Sequence, residues 1–420
     1  MEVNVRSSNS REIILEIRIA LGSSMLKTEE AIIETLNEAG RKFTELALDQ
    51  FDTNGDPIRY RNEKYTSKGQ VEKAYQTPYG EIKLNRHVYQ SSSGGETFCP
   101  LDNDARIITG STPRFAKMVS SKYSQNGSAF VQRDFQDNHG RYISRTYIKS
   151  ISDTVGKLVD ETQERWTYLP PVPQSVARVI GLSMDGTCMF MSEQGWRMAM
   201  VGTISFYDAA GERLSTLYVA SSPEYGKERF YRRFTREITD VRALYPDCEY
   251  IGIADGAMEN WTFLSEYAPL QILDYFHAAE YVARVAEQIF RQEDKRRHWL
   301  ETRCHQLKHE RNGAAELLLE FESFRRKKMD TSRREKLETA ITYFRNHLHQ
   351  MNYSEYVEHN YPIGSGVIES ACKMIIKQRL CNSGMKWKNK GAKSVLCLRA
   401  IHYSSDRWDQ FWNKVDKYGC

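Results

Sequence analysis

The chain has 420 residues, 40% of them hydrophobic, and a formal net charge of +4 from 59 Lys+Arg against 55 Asp+Glu. That length fits roughly two to three domains, and the near-balance of charge says little globally, so a nucleic-acid footprint has to be sought in local concentrations of basic residues. No apolar run approaches the ~20 residues of a membrane span, the opening Met1–Ser8 has no apolar signal-peptide core, and the eight cysteines contain no CxxC pair. A soluble cytoplasmic protein with reduced, buried thiols is expected, rather than a disulfide framework.

The first pattern along the chain is helical. Thr28 precedes Glu29-Glu30-Ala31 as an N-cap, and Ile32, Ile33, Leu36, Phe43 and Leu46 recur at helical spacing to about Phe51. Asn54-Gly55-Asp56-Pro57 ends it. Between Val71 and Cys99 the pattern turns β-like, with Ile82, Leu84 and Val88 roughly alternating and turns at Thr77-Pro78-Tyr79-Gly80 and Gly94-Gly95. This predicts a small antiparallel meander.

Three helices are expected from Thr112 to about Asp160. Phe115, Met118 and Val119 mark the first. Ser128 caps the second, which carries Phe130, Val131 and Phe135. After the turn Asn138-His139-Gly140, Ser144 caps the third, with Tyr147, Ile148, Ile151, Val155 and Leu158 on one face and Arg145, Thr146 and Lys149 on another. Two helices joined by a Gly turn, the second basic, read as a helix-turn-helix candidate with Arg145 and Lys149 on DNA. A three-helix packing unit with a solvated face is the plain alternative.

Leu169-Pro170-Pro171-Val172-Pro173 cannot continue a helix and marks a domain boundary. Strands follow at Val176–Met184, Trp196–Tyr207 and Leu214–Ala220, then a helix at Phe230–Leu244, a strand at Tyr250–Ala254, a helix at Glu259–Tyr267 and a strand at Leu270–Asp274. Three sequential strands, then helix, strand, helix, strand is the order of an α/β, RNase H-like mixed sheet. The charged helical stretch beyond it is too long for a loop and reads as an insertion. The expected domains are 1–110 (helix plus β-meander), 111–170 (helix-turn-helix-like, DNA-binding), 174–285 with 361–420 (catalytic, RNase H-like) and 286–360 (helical insertion).

Three carboxylates stand out on this frame. Asp185 closes the run Val179-Ile180-Gly181-Leu182-Ser183-Met184 and is followed by Gly186; Asp255 closes Tyr250-Ile251-Gly252-Ile253-Ala254 and is followed by Gly256; Glu369 opens a helical pattern just past Gly364-Ser365-Gly366. A buried strand ending in Asp-Gly puts a carboxylate on the sheet rim with backbone room for a ligand. A lone Asp-Gly is more often a turn, but two of one design plus a helix-borne Glu point to a site. Converging carboxylates repel unless cations neutralise them. Hard oxygen donors select Mg²⁺, or Mn²⁺, and two ions per site suit in-line phosphoryl transfer.

Other constellations surround these. In Asp274-Tyr275-Phe276-His277 an acid and a His three apart meet where a strand enters a helix, flanking the site or simply capping the helix. Glu369 and Lys373 form an i,i+4 pair. Lys373, Lys377, Arg379, Lys386, Lys388, Lys390, Lys393 and Arg399 crowd into about thirty residues around Trp387, which suits a phosphate backbone. Cys304, His305, His309, His347 and His349 match no zinc-finger spacing. No GxxxxGK[ST], HExxH, GxSxG or GxGxxG occurs, so nucleotide-driven, zinc-protease, serine-esterase and dinucleotide chemistries lack their usual support.

With these residues, and with Thr112-Pro113-Arg114-Phe115-Ala116, Asn138-His139-Gly140-Arg141 and Gly384-Met385-Lys386-Trp387, the chain resembles the DDE transposases of bacterial insertion sequences, most of all the ISKra family. The resemblance spans nearly the whole chain. It implies an RNase H-like catalytic domain interrupted by a helical insertion, an N-terminal DNA-binding region, and Asp185, Asp255 and Glu369 as metal-holding catalytic triad, with Asp274 and His277 as accessory catalytic residues. It further implies element ends and target DNA as partners, contacts from Lys373, Lys377, Arg379, Lys386 and Lys388, and a homodimer or higher oligomer acting at the bacterial nucleoid. A nuclease or resolvase of the same fold, cutting without joining, is the alternative. A DNA-binding regulator with an inert body is a third reading, against which the intact triad argues.

Overall fold

The computed structural model describes residues 2–9, 11–60 and 62–419, and the chain divides into two compact units, Met1–Trp166 with Lys393–Arg399 and Trp408–Cys420, and Thr167–Ala392 with Ala400–Arg407. The first unit opens on a hairpin, β1 (Glu2–Ser8) and β2 (Ile13–Arg18), followed by α1 (Met25–Asp49). The cap of α1 is Ser24, whose hydroxyl accepts from the Lys27 N–H. Thr28, expected as the cap, lies a turn inside, because Met25 and Leu26 extend the helix. An antiparallel sheet follows, with β3 (Ile58–Tyr60), β4 (Glu63–Thr77), β5 (Gly80–Ser91) and β6 (Thr97–Phe98) paired in chain order. It is the expected meander, begun earlier by Ile58.

Next come α2 (Pro100–Asp104), α3 (Pro113–Gln125), α4 (Ser128–His139) and α5 (Arg145–Thr162). Gly127, not Ser128, occupies the cap of α4, while Ser144 caps α5 as expected, accepting from the Tyr147 N–H. Gly140 ends α4 in the left-handed region at φ 61°, which Gly adopts without steric penalty. Phe115, Val119, Val131, Phe135, Ile148, Ile151 and Val155 are buried on the inner faces of these helices.

The expected boundaries need two corrections. Residues 1–110 and 111–170 are not separate bodies, and part of 361–420 packs in the first unit. Arg399, 1% exposed, donates from Nη1 to the Ser124 carbonyl at 2.6 Å, and Phe411 packs on Trp166 with ring centroids 5.9 Å apart. A buried guanidinium needs such acceptors. Its place in a basic sequence run gave no sign of them.

The second unit is mixed α/β. Its strands are β7 (Val179–Met191), β8 (Gly195–Tyr207), β9 (Arg213–Ser221), β10 (Glu249–Ala254) and β11 (Leu270–Leu273), with α6 (Glu228–Leu244) and α7 (Met258–Leu264) among them. The sheet order is β11-β10-β7-β8-β9. β7, β8 and β9 run antiparallel, and β10 and β11 run parallel to β7 and to each other. β7 does not close at Asp185 as expected. Its pairing with β8 continues through Asp185↔Val201 and Gly186↔Met200 to Met191↔Gly195, so the Asp-Gly lies within the strand.

Helix α6 buries Phe230, Phe234, Ile238 and Val241 at helical spacing. Gly202 on β8 admits it closely, since a Cβ there would meet the Phe234 ring at 3.0 Å. Beyond β11 the chain forms α8 (Tyr275–Ile289), α9 (Glu293–His309), α10 (Gly313–Ser323), α11 (Thr331–His347) and α12 (Tyr353–Glu358), then α13 (Gly366–Ala371), a π-helical segment (Cys372–Lys377), α14 (Gln378–Leu380), α15 (Asn389–Tyr403) and α16 (Arg407–Tyr418). The expected insertion is helical. Leu307, Leu317, Phe321, Leu337, Ile341 and Phe344 from it join the same core cluster as Ile253, Ile272 and Val282. Among the described residues no helix is long and apolar enough to cross a membrane.

Candidate functional site

The parallel strands of the second unit set the site. β10 pairs with β7 in the register Ile251↔Gly181 and Gly252↔Leu182, and carrying that offset forward sets Asp255 level with Asp185. β11 pairs with β10 up to Leu273↔Ala254, so Asp274 comes level with Asp255 in the same way. Asp185 within β7, Asp255 just past β10 and Asp274 just past β11 thus come level where the two shorter parallel strands end. Ligand sites in such sheets lie at the carboxyl ends of the strands.

Asp185 is half-buried, and Asp255 is exposed. The Asp185 Oδ1 accepts from the Gly186 N–H at 2.6 Å and its Oδ2 accepts from the Cys372 thiol at 3.6 Å. Burial raises the Asp185 carboxyl above the usual carboxylate range and the charge of Asp255 adds to this, against the lowering effect of the Gly186 N–H, the Cys372 thiol and Lys377. Asp255 Oδ1 accepts from the Ala257 N–H at 3.2 Å, and its carbonyl accepts from the Tyr343 hydroxyl at 3.0 Å. Gly256 turns the chain at φ 104°, where a Cβ would also meet Tyr343 at 3.1 Å.

Asp274 is fully buried. It caps α8, with Oδ1 accepting from the Phe276 N–H at 2.7 Å, so the capping role holds. Its Oδ2 faces two further groups: the Ser365 hydroxyl, which donates to it, and His277 Nε2 at 3.9 Å. Ser365 Oγ also contacts Glu369 Oε1 at 2.7 Å. The backbone fixes this junction, as Asp274 N–H donates to the Ala254 carbonyl and Tyr275 N–H to the Ile363 carbonyl, both at 2.9 Å.

The expected triad and the tightest group therefore differ. Among the described residues, the ligand atoms lying within 4.8 Å of one another are those of Asp274, His277 and Glu369. Asp185 and Asp255 form a second pair outside that group. Ser365 and Cys372 were missed by sequence reading. Ser365 lay in the quoted Gly-Ser-Gly, and Cys372 follows Glu369 by three positions, but neither type announces itself.

Glu369 sits in a helical stretch that widens into the π-segment at Cys372–Lys377. Such segments often mark functional sites, and the extra residue per turn shifts the phase of everything beyond it. Lys373 was expected beside the carboxylates, yet Lys377 is the lysine whose charge is felt at Asp185 and at Cys372, whose thiol burial pushes up to about 12. Both lysines are exposed, as are Lys386 and Lys388. Arg379 is a correction. It is 3% exposed with its guanidinium 5.3 Å from the Trp387 ring centroid, so it packs rather than faces DNA. Trp387 itself pairs with β7, its N–H donating to the Phe190 carbonyl at 3.1 Å.

Arg145 and Lys149 are exposed on α5 in the first unit, as a helix-turn-helix reading requires and as a packing unit equally allows. His305 and His309 on α9 have tilted rings with centroids 4.9 Å apart and belong to no metal-competent group among the described residues. Comparison with known protein families finds no matching family, and comparison with curated proteins finds no significant similarity.

Proposed function

We propose that the second unit is the RNase H-like catalytic domain of a DDE-type transposase, which cleaves DNA at the ends of an insertion sequence and joins them to target DNA. The observation that carries this is the carboxylate rim: Asp185 within β7, and Asp255 and Asp274 one residue past the ends of β10 and β11, level when the strand registers are extended, with Glu369 on a helix beside Asp274. The sheet order, three antiparallel strands extended by two parallel ones, supports the RNase H-like reading.

Asp185, Asp255 and Glu369 would hold two Mg²⁺ ions, or Mn²⁺. The raised Asp185 carboxyl beside Asp255 fits this, because such a pair is stabilised by a shared cation. When bound, the metal supplies Lewis-acid activation and charge neutralisation at phosphorus. The chain's own residues position the reactants. Lys377, with Lys373, Lys386 and Lys388 along the same exposed stretch, neutralises DNA phosphates, and His277 orients the attacking group. Cleavage by water and joining by a 3′-hydroxyl are both in-line displacements at phosphorus, so one set of carboxylates serves both once the DNA is exchanged. Arg145 and Lys149 contact the element ends, and a homodimer or higher oligomer brings two ends together.

The test uses pre-cleaved ends carrying a 3′-hydroxyl, target DNA and Mg²⁺. Joined products that disappear with EDTA and with Glu369→Gln are expected. Cutting without joining under any condition indicates a nuclease or resolvase. Binding with neither indicates a regulator.

A further inference from the structure

We propose that Asp274, His277 and Glu369 form a site for one divalent transition-metal ion, Mn²⁺ or Zn²⁺, chemically distinct from the all-oxygen pair Asp185 and Asp255. This goes beyond the catalytic reading, in which Asp274 belongs to the rim and His277 orients the attacking group but neither binds metal; of the proposed ligands only Glu369 is a metal ligand in both.

Four observations converge. One atom from each of the three side chains lies within 4.8 Å of the others. Ligands at about 2.0–2.2 Å from one ion stand no more than roughly 4.4 Å apart, so the group closes on an ion with small side-chain movement. Next, Asp274 is fully buried, and the one cationic group in ion-pair range of it among the described residues is His277 Nε2, at 3.9 Å. A buried carboxylate without a strong cationic partner is costly.

Ser365 gives the third observation. Its hydroxyl is buried, and it meets both Asp274 Oδ2 and Glu369 Oε1. A hydroxyl has one proton to donate, so one of these contacts sets oxygen against oxygen, which a cation beside the two carboxylates relieves. Lastly, the His277 ring turns Nε2 towards Asp274 and Nδ1 towards Glu280 Oε2 at 3.8 Å. That distance is within charge range but beyond a hydrogen bond, and a small side-chain rotation gives the carboxylate backing on the far nitrogen that is characteristic of metal-bound imidazoles. The imidazole decides the class of ion, since nitrogen donors suit transition metals while Mg²⁺ keeps oxygen and water ligands.

The experiment is Mn²⁺ titration of the full chain without DNA, followed by electron paramagnetic resonance with detection of nitrogen coupling. Nitrogen-coupled Mn²⁺ is expected in the unaltered protein and in Asp185→Asn/Asp255→Asn. In His277→Ala the coupling is lost and Mn²⁺ affinity at this site falls by more than about 100-fold, beyond the 10–100-fold of changes one layer out from a metal. Zn²⁺ displaces the coupled Mn²⁺ and Mg²⁺ at equal concentration does not. The His277 side chain is 38% exposed, so the variant keeps its fold, and its melting curve checks this. Glu280→Gln is a second variant, expected to weaken binding while keeping the coupling. Absence of nitrogen coupling in the unaltered protein, its persistence in His277→Ala, or displacement by Mg²⁺ as readily as by Zn²⁺ overturns the proposal. Failure to cut or join DNA leaves it standing, because no DNA is present. A chain that joins DNA but shows no nitrogen coupling loses this site alone.

Discussion

Asp185 and Asp255 face each other across neighbouring strands with oxygen donors and partial exposure, and their mutual charge is unfavourable. Asp274 sits one strand further along the same rim, fully buried, tied to a serine, a histidine and Glu369. The backbone design is the same, an aspartate that comes level with its neighbour where the register of parallel strands is extended. What differs is what packs around it: β7 runs on past Asp185 against β8, whereas Asp274 starts a helix. One half of the rim is thus partly exposed, and the other is held by hydrogen bonds. Position on a sheet sets where a carboxylate stands, and its packing sets what it can hold.

The largest expected effect breaks the partly exposed half. Asp185→Asn should lower DNA cleavage by more than about 100-fold, beyond the 10–100-fold of changes one layer out from a metal, while DNA binding by gel shift changes less than about 2-fold. Near-normal cleavage would remove Asp185 from the ligands. The hydrogen-bonded half is probed by Ser365→Ala. Mn²⁺ affinity at the Asp274 group should fall by roughly 10–100-fold, with binding at Asp185 and Asp255 unchanged, as read by calorimetric titration of the separate sites.

A smaller effect separates the halves in the absence of metal. The Asp185 carboxyl is raised in the folded chain above the ordinary value of about 3.9, so the folded state holds more protons than the unfolded one between those two values. The favourable contribution is present at low pH and is lost as pH rises through that window. Above that window the ionised Asp185 destabilises the unit, and Asp185→Asn should raise the melting temperature in EDTA. The gain should shrink as pH falls towards 4, and saturating Mg²⁺ should reverse its sign. Calorimetric scans from pH 4 to 8 check this. An equal gain at every pH would show that charge is not the cause.

The smallest effect concerns the lysines. Lys377→Ala should reduce the slope of log K against log salt for DNA binding by about 1. Arg379→Ala should leave that slope unchanged and lower thermal stability, because its guanidinium packs on Trp387 instead of meeting phosphate. If Arg379→Ala changed the slope as Lys377→Ala does, the division between exposed and packed cations in this run would be wrong.

What the sequence by itself determined is the set of strands and helices in the second unit and the candidates on them. Buried apolar runs at Ile180–Met184 and Tyr250–Ala254, the amphipathic repeat of Phe230, Phe234 and Ile238, and Gly after Asp255 are local signals, and local physics read them correctly. Asp185, Asp255, Asp274, His277 and Glu369 were all legible as candidates. Their grouping was not. Register between strands far apart in sequence aligned Asp274 with the other two, and the turn at Ser365 drew Glu369 towards it. The π-segment re-phased Lys373 and Lys377, a change that depends on hydrogen bonds rather than residue type. Pairing with β8 carried β7 past an Asp-Gly that reads as a stop. Burial of Arg379 and Arg399 likewise followed from which surfaces met. A charge in a sequence is the same letter whether it ends in water or against a tryptophan, and only the packed chain decides which.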